Sequence, residues 1–372
     1  MLEKVSTVTE IAEALSTGHA PDQSLRLEFG ECTIEVKSDS KALIDRLKEY
    51  YKEFLGKKLP DIQVLAFEIA EPKFDFIFMK KPPEPGKSKI KEEFFDLRDG
   101  RVVRKILTGM YFIFGRGINI AAGNCLQNYN QVVNFINNRY IERMIKRECM
   151  LMHAAGVVLK GKGIAIAGFA GRGKSTLALT LLNRGLKFLS NDRVMVKKYD
   201  GGTRMYGIPK LPRVNPGTIL SNPVLGKILT EEERHEFEKY TPEKLWELEH
   251  KFDVDISEIY GSDRFSLQAE MKALVIINWD RNGDEPFAIT EVDLVGRPDL
   301  VHAYMKLPGL FFEMSEDTKP PDFSEAAYIN CMKSCRVFEI TGSVNFEEAA
   351  EHCISLLEDV KTAGITGLNA SK

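Results

Sequence analysis

The sequence predicts two domains: an α/β domain built around a phosphate-binding loop over residues 149–372, preceded by a smaller α+β domain over residues 1–148. Three observations lead there. The chain has 372 residues, of which 44% are hydrophobic and 28% charged, enough for two cored domains and too apolar for a disordered chain. Near residue 148 a helical pattern gives way to two β-rich runs. Between a strand-like and a helix-like run, residues 168–175 read GFAGRGKS, a full match to G-x-x-x-x-G-K-[ST].

Composition also sets exclusions. Fifty-one basic residues against 54 acidic ones leave a net charge of −3, so binding of nucleic acid through bulk positive charge is not expected. No apolar run approaches the roughly 18 residues that span a bilayer, and no membrane partner is expected. The opening MLEKVSTVTEIAEALSTG carries acids and lacks a continuous apolar stretch, so it is not read as a signal peptide and a cytoplasmic location is expected. Six cysteines in a chain this long form no disulfide framework. Cys331, Cys335, His352 and Cys353 lack familiar zinc spacing and read as ordinary residues, the thiols buried.

In the first half, LRLEFG and CTIEVKS alternate about Gly30 and predict a hairpin. SKALIDRLKEYYKEFL has apolar residues at helical spacing, with Asp39 or Ser40 as its cap. IQVLAFEIA reads as a strand, KKPPEPGKSK as a loop, and FFDLRDGRVVRKILTGMYFIFG as a hairpin turning at Asp99–Gly100. Residues 130–152 read as helix. The arginines and lysines of this half read as solvated faces. In the second half, AAGVVL and GIAIAG are strands joined by a turn at residues 160–163, and KSTLALTLLNRG is a helix ending at Gly185. The run from Thr230 to Phe252 is a charged amphipathic helical region.

Each residue type of the loop has a purpose. Gly168, Gly171 and Gly173 let the backbone wrap closely around phosphates, with Phe169, Ala170 and Arg172 between them. Lys174 supplies a point charge for the β- and γ-phosphates, Ser175 a hydroxyl for Mg²⁺, and the first turn through Thr176 the positive end of a helix dipole. A nucleoside triphosphate follows as ligand. The second metal contact is expected from an acid at the carboxyl end of a strand beside the loop. LKFLS (186–190) is such a strand, ending at Asn191-Asp192. Asp192 is the metal-side carboxylate, unless it pairs with Arg193 or caps a turn.

With these residues in view, the segment resembles the catalytic domain of HPr kinase/phosphorylase, and most of all the divergent HPr kinase-related kinase B group. The resemblance rests on His153 opening a two-stranded hairpin, the loop, the helix ending in Arg184-Gly185, and Asn191-Asp192 before Arg193-Val194. It is close over residues 149–200 and looser to about 345. Phosphoenolpyruvate carboxykinases share a similar loop and acid. The resemblance implies ATP and Mg²⁺ as cofactors, a serine hydroxyl of a small protein as acceptor, and a homo-oligomer. One position departs: the family's first acid, its base, is here Asn191, which cannot accept a proton but can orient a hydroxyl. That leaves His153 as candidate base, although a histidine before a buried strand is usually structural.

Two further cations are candidates. In MYGIPKLPRVNPGT (205–218), Lys210 and Arg213 form either a phosphate clamp or a solvated surface loop. Arg264 either supplies charge to the transition state or pairs with Asp263 or Glu270. Together these residues predict ATP- and Mg²⁺-dependent phosphoryl transfer to a hydroxyl on a small protein or a metabolite. The alternatives are an ATP-binding regulatory protein without a phosphoacceptor and an NTP-hydrolysing maturation factor.

Overall fold

A computed structural model describes residues 5–358 except 84–87, 242–243, 246–247, 249, 281–282 and 314–319. The chain forms two compact units. The first comprises residues 1–148 with two segments from later in the chain, 208–210 and 307–321; the second comprises 149–207, 211–306 and 322–372. No helix among the described residues is long and apolar enough to cross a membrane.

The first unit is an eight-stranded sheet. Its strands are β1 (Gln23–Phe29), β2 (Cys32–Ser38), β3 (Ile62–Glu68), β4 (Met79–Lys80), β5 (Glu92–Leu97), β6 (Gly100–Lys105), β7 (Tyr111–Gly115) and β8 (Ile118–Gly123), in the order β1-β2-β3-β8-β7-β6-β5-β4. The β1–β2 hairpin turns at Gly30, whose φ of 65° needs a residue without Cβ strain. β5 and β6 turn at Arg98-Asp99, one residue earlier than expected, because Gly100 already pairs with Leu97. Helix α1 (Val8–Ser16) packs Val8, Ile11 and Leu15 against Phe67, Val102 and Ile113 on one face. Its start is fixed by a Thr7–Glu10 capping box. Helices α2 (Lys41–Tyr50) and α3 (Tyr129–Lys146) adjoin the sheet elsewhere. Ser40 caps α2 by accepting from Leu43 N–H. α3 ends at Lys146, short of the expected 152, where Glu148 takes a φ of 67° and residues 150–152 turn into strand. The loop expected at 80–89 and the helical region expected at 230–252 lie partly outside the described residues.

In the second unit, the strands are β9 (Met150–Met152), β10 (Ala155–Leu159), β11 (Lys162–Gly168), β12 (Lys187–Ser190), β13 (Val194–Tyr199), β14 (Gly202–Gly207), a separate ribbon of β15 (Arg213–Val214) with β16 (Phe252–Asp253), then β17 (Gln268–Ile277), β18 (Ala288–Glu291) and β19 (Arg336–Thr341). The sheet runs β12-β10-β11-β17-β14-β13-β9, with β19 parallel to the second half of β17 and β18 on its far side. β11 and β17 are parallel, and residues 163–168 and 273–277 are apolar because both faces of the sheet are covered there; the first half of β17 carries Gln268, Glu270 and Lys272. Ile164, Ile166, Val275 and Ile277 point to one side, where α4 (Lys174–Asn183) contributes Leu177, Leu181 and Leu182. On that side also lies a C-terminal helix of residues Phe346–Leu357, with Ala349, Ala350 and Cys353. Ala165, Ala167, Leu274 and Ile276 point to the other side, against Tyr304, Tyr328 and Met332. This period-two alternation fixes the register of the strand that leads into the loop.

Candidate functional site

Residues 168–175 join the carboxyl end of β11 to the amino end of α4. Gly168, Gly171 and Gly173 have φ of 150°, 73° and 96°, conformations that L side chains rarely adopt. A Cβ on Gly168 would meet Ile277 O at 2.7 Å, and one on Gly173 would meet the Phe346 ring at 2.8 Å. The loop is therefore pressed against its own scaffold. Phe346 in turn packs edge-on against Trp279, with ring centroids 4.8 Å apart. No side chain caps the amino end of α4, so its first N–H groups, with the helix dipole behind them, suit an anion. Gly173→Ala is expected to weaken ATP binding about tenfold or more, since left-handed backbone in alanine costs roughly 1–2 kcal/mol before the ring contact is counted. Calorimetric titration checks this, with the melting temperature as control for folding.

Lys174 lies at the centre. Its Nζ donates to Gly168 O at 2.7 Å and Phe169 O at 3.3 Å. Burial lowers its pKa, and the charge of Asp192 opposes that shift. Ser175 follows on the half-buried first turn, and Thr176 Oγ1 lies 3.4 Å from Thr218 Oγ1. Arg172 and Trp279 clasp each other: the guanidinium donates to Trp279 O, and the indole N–H donates to Arg172 O at 2.9 Å. Trp279 is fully buried and is a positioning residue that the sequence reading passed over. Its only sequence signal was its place just beyond the β17 strand.

Asp192 was expected on the strand next to the loop, and here the structure corrects the sequence. β10, not β12, is the neighbour of β11, because the tight turn at Lys160-Gly161 lays β10 along that edge first. The chain leaving α4 therefore takes the next free edge, about 10 Å from β11 at ordinary strand spacing. The result still serves the site. β12 is antiparallel to β10, as β10 is to β11, so the carboxyl ends of β12 and β11 and the amino end of β10 share one border. His153, before β10, is held by its N–H donating to Tyr304 O at 2.7 Å, and its Nε2 is 3.4 Å from Asp192 Oδ1. Asp192 is 62% exposed and also lies 3.7 Å from Arg193 Nε. Asn191 Oδ1 is buried with no hydrogen-bond partner among the described residues, an acceptor left over where a hydroxyl or a metal-bound water would fit.

Three cations go elsewhere. Arg264 donates to Leu182 O at 2.6 Å and Leu186 O at 2.9 Å. It thus binds carbonyls at the carboxyl end of α4, the end opposite the loop, and neither Asp263 nor Glu270 is its partner; Asp263 pairs with Lys187. The transition-state role expected of Arg264 is replaced by helix capping. Arg264→Leu is expected to lower stability by about 2 kcal/mol while leaving turnover per folded molecule unchanged, which denaturant melts and rate measurements separate. Arg213 pairs with Asp253 at 3.2 Å on the β15–β16 ribbon and donates to Lys251 O. Lys210 belongs to the first unit, where its Nζ donates to Asn134 Oδ1 at 2.7 Å. The two expected members of a clamp therefore sit in different units. Among the described residues no group of three or more His, Cys, Asp or Glu side chains is arranged to hold a metal, and burial raises the pKa of the Cys331, Cys335 and Cys353 thiols to about 11–12.

The chain is similar in sequence to an HPr kinase/phosphorylase. The relative is from Lactobacillus acidophilus and is 25% identical over 139 residues, 37% of this chain and 33% of that protein. The match thus spans about a third of the curated relative's length. A solved Hpr(Ser) kinase/phosphatase from Coxiella burnetii aligns with 56% of this chain and 95% of its own, at 13% identity and a TM-score of 0.29. No family model matches.

Proposed function

We propose that the chain is a kinase transferring the γ-phosphoryl group of ATP to a hydroxyl, with residues 149–372 as the nucleotide-binding domain. The observation that carries this reading is the shared border on which the loop, Lys174, His153, Asn191 and Asp192 meet. The glycine conformations hold the loop against its scaffold, where a Cβ at Gly168 or Gly173 would meet Ile277 O or the Phe346 ring, and Ser175 and Asp192 are the hydroxyl and carboxylate expected for Mg²⁺. Bound there, the ion would neutralise charge on the β- and γ-phosphates. Lys174 holds the phosphate oxygens, and the amides of the first turn of α4 cradle them. Asn191 orients the acceptor hydroxyl through its unpaired Oδ1. His153, beside Asp192, takes the proton as the bond to phosphorus forms. The weak similarity to HPr kinase/phosphorylase supports a protein acceptor and ATP as donor, and a serine hydroxyl on that acceptor is part of the proposal. The kinase B relationship and a homo-oligomer remain part of this proposal.

A second reading is favoured by one residue. Asn191 stands where a base is expected, so the same site suits a regulator that binds ATP without an acceptor. Incubation with γ-labelled ATP and Mg²⁺, with and without lysate of the source cell, separates the two. Label on a protein or metabolite supports the kinase and identifies its acceptor. Phosphate release without a labelled product points to a hydrolase, and ATP binding with neither outcome points to the regulator.

A further inference from the structure

The first unit contains a cavity of about 1100 Å³ that no local sequence pattern announces. It lies between the turns at the end of the β5–β6 and β7–β8 hairpins, the second half of α3, and Phe312 with Glu313. Seven arginine or lysine side chains line it against five carboxylates. Most of those carboxylates are already engaged: Asp61 with Arg143 at 2.6 Å, Asp96 with Arg101 at 2.5 Å, and Glu142 with both Arg139 at 2.7 Å and Lys146 at 2.5 Å. Asp99 Oδ1 accepts from Val8 N–H at 2.8 Å.

Arg147 pairs with Glu31 at 3.3 Å, which leaves two of the seven cations unmatched. Arg98 and Arg116, at the tips of the two hairpins, make no side-chain hydrogen bond or ion pair among the described residues. Arg139 is 4% exposed, lies over the Phe114 ring at 4.1 Å and donates to Phe311 O. Among the described residues its Nε has no acceptor, and neither has the buried Nε of Arg143, one turn further along α3. Burying guanidinium N–H groups without acceptors is unfavourable, and two of them beside one cavity call for an acceptor from outside the chain. The planar fork of arginine suits a carboxylate or a phosphate.

We propose that this cavity is a binding site for a small oxyanion, a carboxylate or phosphate compound, held by Arg98, Arg116, Arg139 and Arg143. It is built from the first unit alone and does not depend on the kinase reading. Glu313 is the remaining acidic group on its wall. Burial and the nearby Glu142 raise the pKa of Glu313, against Lys146 and Arg139 of α3 and Arg101 of β6. The protonated carboxyl donates a hydrogen bond to the anion, whereas the carboxylate repels it, so binding weakens as pH rises through that raised pKa.

The test is calorimetric titration of the full chain with citrate and, separately, with inorganic phosphate. A Lys174→Ala background keeps phosphate off the loop of the second unit. Binding of at least one anion at millimolar concentration is expected, and which one binds tells a carboxylate site from a phosphate site. Arg98→Gln together with Arg116→Asn is expected to weaken it about tenfold or more; asparagine suits the φ of 47° at position 116. Both positions are turn residues, so the result does not depend on whether Arg139 variants fold. Glu313→Gln should abolish the pH dependence while keeping a donor. Absence of binding by both anions, or binding that survives the double substitution unchanged, overturns the proposal.

Discussion

Replacing Lys174 with methionine is expected to lower ATP turnover by about a hundredfold or more, with the fold intact. The side chain is one of the loop's two fixed points: its ammonium holds Gly168 O and Phe169 O, while Arg172 and Trp279 hold the other side. Methionine keeps the stem and deletes the charge proposed to meet the β- and γ-phosphates. Because α4 is packed through Leu177, Leu181 and Leu182 on the side away from solvent, the melting temperature should change little. Steady-state turnover with ATP and Mg²⁺ and a thermal melt on the same preparation check both halves. Unchanged turnover would remove the loop from the reaction.

Asp192→Asn is the second large effect. As the proposed metal-side carboxylate, Asp192 is expected to cost about a hundredfold in turnover when replaced, together with a weaker dependence on Mg²⁺. The substitution also carries a pH signature. Burial pulls the Lys174 pKa down and Asp192 pushes it up, so removing the acid lets Lys174 lose its proton at lower pH. The alkaline limb of the pH–rate profile should therefore move to lower pH in Asp192→Asn. A loss of rate with no movement of that limb would mean that Asp192 acts on the metal alone.

Much of this was legible because it is local. The hairpin at Gly30, the helix capped by Ser40, the β10–β11 hairpin and the helix after the loop all follow from alternation, helical spacing and turn glycines within a few residues. The glycines of the loop could be read because only a left-handed or close-packed backbone demands them. Non-local features were not legible. Nothing in GSDRFSLQ says that Arg264 reaches back to carbonyls 78 and 82 residues earlier, since a long cation can serve a carbonyl as well as a carboxylate. The order β12-β10-β11 depends on which edge is occupied first, and the assignment of Lys210 to the first unit depends on chain excursions. α1 was missed although T-x-x-E at Thr7–Glu10 announced it. Arg139 looked like one more helix cation; its burial depends on the aromatic rings of β7 and α3.

The central claim is that the loop at residues 168–175 cradles a nucleoside triphosphate. A crystal structure with a non-hydrolysable ATP analogue and Mg²⁺ tests it most directly. The expected result places the β- and γ-phosphates on the amides at the start of α4, with the Lys174 ammonium moved from Gly168 O onto phosphate oxygens and Ser175 and Asp192 on the metal side. Nucleotide bound elsewhere, with Lys174 still on the loop carbonyls, would contradict it.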